Sequence, residues 1–598
     1  LPVSDDGRLQ PITKTTTRNF GNGDVTYETN NGFFIHDRHF CWINEDTAAL
    51  PDLMYRVSFD DVLAVAKASG DSAAEQRPDV DSKFQISNFK SDDTNTAYDP
   101  IPIGAAVVDI TPDYPVRLTG YGNRLKESEG VAVKIHARAL VIGGTHVAVT
   151  LRRDEPPTTS RDAISPDAKS HPAESDDVAS ADDSENSGAH HAERDGYVVL
   201  ITVDNCGVPI EITEAVYDRI KTKHNIPRER FAISSTHTHS GPWLRGFAPN
   251  IFAEIPDEHA AHLDQYEKDL IEKLVEVVEK AIEARRPGHL SLGFGEAGFA
   301  INRRLLKEGK WSGFGEVPDG PTDNRVPVLA AHDVEGKLIA VLANYACHCT
   351  TETGEFNQIS GDWAGFAADM LEAEHPSAVA LIAIGCGADA NPSPRGTHEQ
   401  AKTHGRTMAD EVNEILASGG RQPSGTKTAI PSGAASPDSN RTRGLTPSTR
   451  RIAMKRINPA IACNMARIDL PLGPLPSREE WEKQVQEPGV TGARARYFLN
   501  ILDQGQEIPT TIPNYPVQTW CFGEDLAMVF LGGEVVVDYS IRMNDMFDGD
   551  RLWINAYSND VPCYIASARV LREGGYECDS SMLYYRRPTR LAPEAEDV

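Results

Sequence analysis

Short apolar runs alternate with amphipathic, helix-like segments through most of this chain, and this alternation constrains its fold more than any other feature. Apolar runs occupy residues 197–203, 231–233, 338–342, 380–384, 526–531 and 552–554. Helix-like periodicity follows over about 209–224 and about 262–284. Such alternation is typical of α/β proteins. We therefore predict a large α/β domain with a mixed, largely parallel sheet flanked by helices.

Each apolar run is followed by polar groups. In open α/β sheets, ligands bind beyond the carboxyl ends of the strands. We therefore predict that these groups share one active-site rim. The candidates are His237, His239, His348, Asp389, Glu534 and the tyrosines that follow Trp553.

The segment with the strongest chemical signal contains His237 and His239, which follow the run Phe231-Ala232-Ile233. Alternate side chains of an extended segment point the same way, so both imidazoles are expected to face one cleft. They could share a metal ion, or one could bind it while the other moves protons. A His-x-His pair is also a common polar stripe, and by itself it leaves both interpretations open. Imidazole together with carboxylate is a ligand mixture that suits zinc.

Composition limits the alternatives. The 598 residues carry a formal net charge of -29, which disfavours nucleic acid and membranes held by charge alone. No apolar run approaches the length of a membrane span. Nine cysteines without a Cys-x-x-Cys pair indicate neither a disulfide scaffold nor a zinc ribbon. Residues 153–195 and 418–451 are nearly free of large apolar groups, so we predict two disordered inserts. Residues 1–98 have no predicted role.

Three motifs together resemble a known family. They are Asp109-Ile110-Thr111-Pro112 with Gly120-Tyr121-Gly122, then Thr236 to Pro242, and then Tyr557-Ser558-Asn559-Asp560 continuing to Glu577. In these motifs the chain resembles the neutral/alkaline non-lysosomal ceramidases, zinc amidases that cleave the N-acyl bond of ceramide. The resemblance runs from about Ile103 to the end of the chain, which implies a catalytic domain over residues 99–598.

The resemblance implies a role for individual residues. It makes His237, His348, Glu534 and Tyr564 zinc ligands. It places His239, Arg303 and Tyr576 around the scissile amide, with His239 moving protons and the other two stabilising the oxyanion. Without the resemblance, the favoured interpretations are a carboxylate at a helix start for Glu534, a core tyrosine for Tyr564 and a surface ion pair for Arg303.

The chain also departs from the family pattern. Where the family has Ser-Pro-Asn, the sequence reads Ala390-Asn391-Pro392, and we expect no C-terminal β-sandwich. The resemblance implies a zinc-dependent amidohydrolase that acts on a ceramide-like lipid, is secreted or periplasmic, contacts membranes at most transiently and has no nucleic-acid partner. The alternatives are a zinc hydrolase of a non-sphingoid N-acyl or ester substrate, and a catalytically silent binding protein.

Overall fold

A computed structural model describes residues 98–143, 196–418 and 451–598, together with four short strands before residue 43. The predicted insert 153–195 and residues 419–450 of the second one lie outside the described residues. The first four strands form two hairpins: β1 (Thr16–Asn19) with β2 (Asp24–Tyr27), and β3 (Phe33–His36) with β4 (His39–Trp42).

The later strands, in chain order, are β5 (Ile101–Asp109), β6 (His136–Ile142), β7 (Val198–Val203), β8 (Phe231–Ser235), β9 (Arg286–Glu296), β10 (Ala300–Lys307), β11 (Lys310–Val317), β12 (Arg325–Asp333), β13 (Leu338–Tyr345), β14 (Val379–Ile384), β15 (Ala390–Pro392), β16 (Ile452–Arg456), β17 (Ile461–Pro471), β18 (Thr511–Phe522), β19 (Leu526–Leu531), β20 (Glu534–Val535), β21 (Leu552–Asn555) and β22 (Tyr564–Ile565). The α-helices span Ile210–His224, Asp257–Glu283, Asp362–Glu374, His398–Ala417, Arg478–Gln484, Gly489–Asp503, Val537–Met546, Ala568–Glu573 and Ser581–Tyr584.

Within these residues, the largest sheet has nine strands in the order β14-β13-β12-β9-β5-β6-β7-β8, and β16 also pairs with β9. The α/β class and the mixed sheet are confirmed, but the expectation of largely parallel strands is wrong. Only β7–β8 and β13–β14 are parallel along this order, and the other five pairs are antiparallel. A continuous apolar run indicates that both faces of a strand are buried, but it does not indicate the direction of the neighbouring strands. Here a second sheet covers one face, and helices cover the other.

That second sheet has four strands, β17-β18-β19-β21. Alternate side chains of β7 show the layering. Val199 and Ile201 belong to the core that the helices cover, whereas Val198 and Leu200 pack into a second core with side chains such as Trp520 of the four-stranded sheet. The nine-stranded sheet is therefore sandwiched between helices and a smaller sheet. None of the helices in the described ranges is both long enough and apolar enough to cross a membrane.

The segment after β21 joins the two edges of the large sheet. The backbone N–H of Ala556 donates to Ile384 at the end of β14, and the N–H of Ser235 at the end of β8 donates to Tyr557. The ends of β8, β14 and β21 therefore meet in one place. The strand ends that were predicted to share one rim lie close together, although they belong to two sheets rather than one.

Candidate metal centre

The loop that carries His237 and His239 follows β8. This strand ends at Ser235, so neither histidine belongs to it, and His237 has a φ of 58°. A positive φ is uncommon for a residue with a side chain and costs backbone energy. The two rings nevertheless approach, with centroids 4.8 Å apart. The expectation that both imidazoles share a cleft agrees with the structure, but strand alternation is not the reason.

Three buried side chains from distant parts of the chain converge here: His237, His348 and Glu534. Their ligand atoms all lie within 4.8 Å of one another. Oε2 of Glu534 is 3.2 Å from Nε2 of His237 and 3.3 Å from Nε2 of His348. The geometry therefore brings together three of the four ligands that the resemblance implies.

The hydrogen bonds of the two imidazoles decide which nitrogen faces Glu534. Nδ1 of His237 lies 2.6 Å from the carbonyl oxygen of Cys206, and Nδ1 of His348 lies 2.9 Å from that of Gly387. A carbonyl only accepts, so each Nδ1 carries the proton and each neutral ring directs an Nε2 lone pair inward. Oε2 of Glu534 is buried there and has no hydrogen-bond donor.

Three electron-rich atoms that face one another favour a cation between them. Donors about 2.0–2.1 Å from a tetrahedral zinc ion lie roughly 3.3 Å apart, close to the two spacings measured between Glu534 and the histidines. Burial, with Arg303 alongside, lowers the pKa of His348 to about 3. A neutral imidazole and an ionised carboxylate are the states that metal binding requires.

A second group of possible ligands, Cys206 with His237 and His239, fits a metal less well. The sulfur of Cys206 lies 3.7 Å from Nδ1 of His237, the nitrogen whose proton is donated to the Cys206 carbonyl. Burial raises the pKa of the Cys206 thiol well above its usual value, which disfavours the thiolate. The group with Glu534 is the better candidate.

Glu534 is held from two sides. It lies on β20, which pairs in parallel with β22 so that Glu534 is directly beside Tyr564. The Tyr564 hydroxyl lies 3.4 Å from Nε2 of His348. Burial, followed by the charge of Glu534, raises the pKa of Tyr564 well above its usual value, so the phenol faces the centre as a neutral group. The Tyr585 hydroxyl donates to the other oxygen, Oε1, of Glu534.

His239 sits differently from the two proposed histidine ligands. Its Nε2 lies 3.2 Å from Nε2 of His237, and its Nδ1 is buried without a hydrogen-bond partner. Burial lowers the pKa of His239 well below its usual value. A guanidinium N–H of Arg124 donates to the His239 carbonyl and holds the loop. No hydrogen bond at Nδ1 fixes which ring nitrogen of His239 carries the proton.

Arg303 reaches the centre from β10. Its Nη1 lies 3.3 Å from Nε2 of His348 and its Nη2 donates to the Tyr564 hydroxyl at 3.1 Å. Nε donates to buried Glu577 at 3.0 Å, and Nη1 also donates to Asn391 at 3.2 Å. The Tyr576 ring lies 5.6 Å from the guanidinium carbon. All three residues that the resemblance places around the amide therefore border the candidate metal centre.

Some residues of this site escaped the sequence interpretation. Cys206 and Gly387 contribute only their backbone carbonyls, which accept from the two histidines. No side-chain pattern in the sequence indicates such a contact. Tyr557, one of the tyrosines predicted on the rim, stacks on the His237 ring with centroids 4.2 Å apart. Asp389 was expected on the rim, but its carboxylate accepts from the Val537 N–H, at the start of a helix. Glu577 ends the third motif and Tyr585 follows it, but only the structure shows that Glu577 bonds Arg303 and that Tyr585 bonds Glu534.

Comparison with known proteins supports the resemblance, and the family-model match contains the motif Thr236 to Pro242. Residues 189–392 match the family model described as neutral/alkaline non-lysosomal ceramidase, N-terminal. Neutral ceramidase B of Dictyostelium discoideum is 26% identical over 193 residues, which is 29% of this chain and 24% of that protein. The match thus spans about a quarter of the length of this relative.

Two solved structures share the fold. The neutral ceramidase from Pseudomonas aeruginosa superposes with a TM-score of 0.52 at 16% identity, over 83% of this chain and 72% of that one. A ceramidase complexed with C2 gives 0.53 at 17% identity, over 83% and 73%. Fold and site thus define an α/β protein with a buried His–His–Glu centre. The resemblance to the neutral/alkaline non-lysosomal ceramidase family is confirmed.

Proposed function

We propose that the chain is a zinc-dependent amidohydrolase that cleaves the N-acyl bond of a ceramide-like lipid into a fatty acid and an amine. The observation that carries the proposal is the orphaned Oε2 of Glu534 between the inward nitrogens of His237 and His348. The family match and the Dictyostelium relative support the choice of substrate.

His237, His348, Glu534 and Tyr564 would hold the metal. Bound zinc supplies an acidified water at neutral pH and polarises a carbonyl group. His239 would accept a proton and deliver it to the leaving nitrogen, because its Nδ1 has no other partner. Arg303, whose guanidinium is oriented by hydrogen bonds to Glu577, Asn391 and Tyr564, would stabilise negative charge on the carbonyl oxygen.

The first test is metal content by elemental analysis. The wild-type chain should bind about one zinc ion, and Glu534→Gln should lose most of it, because the amide removes the negative charge between the two imidazoles. Glu411→Gln is the matched control, since Glu411 is also a buried carboxylate but pairs with Arg451. Full zinc content in Glu534→Gln would contradict the ligand assignment.

The second test is hydrolysis by the zinc-loaded chain. Fatty acid release is measured from an N-acylsphingosine, from an N-acyl amino acid and from a fatty ester, each dispersed in detergent. We expect the N-acylsphingosine to be cleaved fastest. If either other compound were cleaved faster, that compound would represent the substrate class instead of ceramide. A zinc-loaded chain that cleaves none of the three would contradict the enzymatic proposal.

A further inference from the structure

His239 differs from the two proposed histidine ligands in the way its ring is held. Nδ1 of His237 and Nδ1 of His348 each bond a backbone carbonyl, whereas Nδ1 of His239 is buried without a hydrogen-bond partner. A ring that moves protons gains from this, because a partner at Nδ1 would fix which nitrogen carries the proton. The orientation of His239 therefore has to come from packing and from its backbone.

The family motif Gly120-Tyr121-Gly122, which has no role in the proposed function so far, supplies the packing. Gly120 has a φ of 88°, in the left-handed region that favours glycine. Its backbone lies directly against the His239 ring, and a Cβ atom at Gly120 would lie 2.4 Å from both Cγ and Nδ1 of that ring. A larger residue at this position would therefore displace the imidazole.

Tyr121 packs against the same ring from another side. It meets His239 edge-on, with ring centroids 4.9 Å apart. The Tyr121 hydroxyl accepts from Nη2 of Arg395 at 2.8 Å and donates to the carbonyl of Glu352 at 3.1 Å. Because both hydrogen bonds hold the phenol in place, it forms a fixed wall for the imidazole.

Arg124 holds the backbone of His239. This side chain is buried, and its guanidinium donates to carbonyls of three separate segments. Nη1 donates to the carbonyls of His239 and Thr119, and Nη2 to those of Thr353 and Phe356 at 3.1 and 2.8 Å. The planar fork of a guanidinium suits several acceptors at fixed angles, which the ammonium of a lysine does not. The loop is therefore tied to its surroundings at the residue that is proposed to move protons.

We call Gly120, Tyr121 and Arg124 the His239 cradle, and we propose that they are positioning residues for His239. They hold the imidazole in one orientation by packing and by its backbone, and so leave Nδ1 without a hydrogen bond. This inference rests on the proposed function, because His239 moves protons only in that function. It gives a role to the first family motif.

The first test compares kcat, KM and zinc content, with N-acylsphingosine as the substrate. Gly120→Ala should lower kcat about 100-fold, the effect of misplacing a catalytic group by about 1 Å, and leave KM and zinc content near wild type. Gly336→Ala is the matched control. Gly336 has a similar φ of 83°, but it lies in the turn between β12 and β13 with open space around the added atom. This variant should keep the wild-type kcat.

A double-mutant cycle separates positioning from a merely structural role. In a His239→Ala background, Gly120→Ala should cause no further loss of kcat, because the group that it positions is already absent. If Gly120→Ala lowered kcat by the same factor in both backgrounds, the proposal would be overturned. Loss of zinc in Gly120→Ala would also overturn it, because the change would then reach the ligands.

A second measurement does not depend on turnover. Hydrogen–deuterium exchange of the full chain, read by mass spectrometry on the peptide that contains residues 237–243, reports how firmly the loop is held. Arg124→Met should speed exchange there at least about tenfold. Should that variant fail to fold, Arg124→Lys takes its place, since it keeps the charge without the planar fork. Unchanged exchange would overturn the proposal.

Arg494→Met is the matched control for the exchange measurement. Arg494 is also buried, but it donates to Gln484 and to the carbonyl of Arg587. This variant should leave exchange of residues 237–243 at the wild-type rate. If it sped exchange there as much as Arg124→Met, the effect would be general loosening, and the cradle would be rejected.

The cradle and the proposed function fail separately. A zinc-loaded wild-type chain that cleaves no amide would contradict the proposed function, and the exchange rates would still decide whether Arg124 holds the loop. A chain that cleaves N-acylsphingosine but shows additive losses in the cycle would keep the function and overturn the cradle.

Discussion

Glu577 is the side chain whose removal should separate the positioning of Arg303 from the metal centre. It is fully buried and bonds two buried guanidinium groups, Nε of Arg303 at 3.0 Å and Nη1 of Arg304. Removing one partner of a buried ion pair costs about 3–5 kcal/mol, because the other charge stays buried without compensation. Arg304 keeps Glu573 at 3.0 Å, so only Arg303 loses its carboxylate.

We therefore expect Glu577→Gln to lower the free energy of unfolding by about 3 kcal/mol, the lower end of that range, since the amide oxygen still accepts a hydrogen bond. Urea denaturation of the zinc-loaded chain measures this value. Turnover of the amide substrate should fall while zinc content stays near wild type, because none of the proposed ligands changes.

Glu573→Gln is the matched control. Glu573 is partly exposed and bonds Arg304 and Arg569, and its loss leaves Arg303 paired with Glu577. We expect a loss of roughly 1 kcal/mol and nearly unchanged turnover. If the two variants lost equal stability, or if Glu577→Gln lost less than the control, the buried pair would not be what holds Arg303.

Three further outcomes are expected. His239→Ala should keep zinc and lose roughly 100- to 10,000-fold in turnover, whereas His237→Ala should lose zinc. Metal content and rate are measured on the same preparations. If His239→Ala lost zinc and His237→Ala kept it, the roles of the two histidines would be exchanged. Gly387→Ala should reduce zinc content and thermal stability, because its Cβ atom would lie 2.5 Å from the backbone before His348, while Gly365→Ala, with open space around the added atom, should do neither. Burial raises the pKa of Asp560 to about 6, so this group favours folding below its unfolded pKa and loses that contribution as pH rises through 6. Asp560→Asn should therefore gain roughly 2.5 kcal/mol over wild type between pH 4 and pH 7.5 in urea titrations, and a gap independent of pH would contradict this origin.

Much of the fold was predictable from local patterns. The run 197–203 became β7, the periodic segment 209–224 became the helix Ile210–His224, and the run 526–531 became β19. Apolar periodicity marks such elements because burial selects it. The direction of neighbouring strands was not predictable in this way, because parallel and antiparallel strands with both faces covered bury the same side chains.

The candidate site was likewise predictable from the sequence only in part. His237 and His239 stand out because two imidazoles close a strongly apolar run, and the motif gives a reason to examine them. Glu534 and Tyr564 carry no such signal, since a glycine-flanked carboxylate and a core tyrosine are ordinary features. Only the pairing of β20 with β22 brings these two side chains together.

By itself, the sequence determined which residues are able to bind a metal, where six of the strands and two of the helices lie, and which family the chain resembles. Only the tertiary structure decided that donors from the ends of two different sheets meet, because the segment after β21 bridges β8 and β14. It also decided which imidazole nitrogens face inward, since the carbonyls of Cys206 and Gly387 take the Nδ1 protons. The physical reason is that a residue type specifies what an atom can donate or accept, whereas ligation depends on distances between atoms hundreds of residues apart.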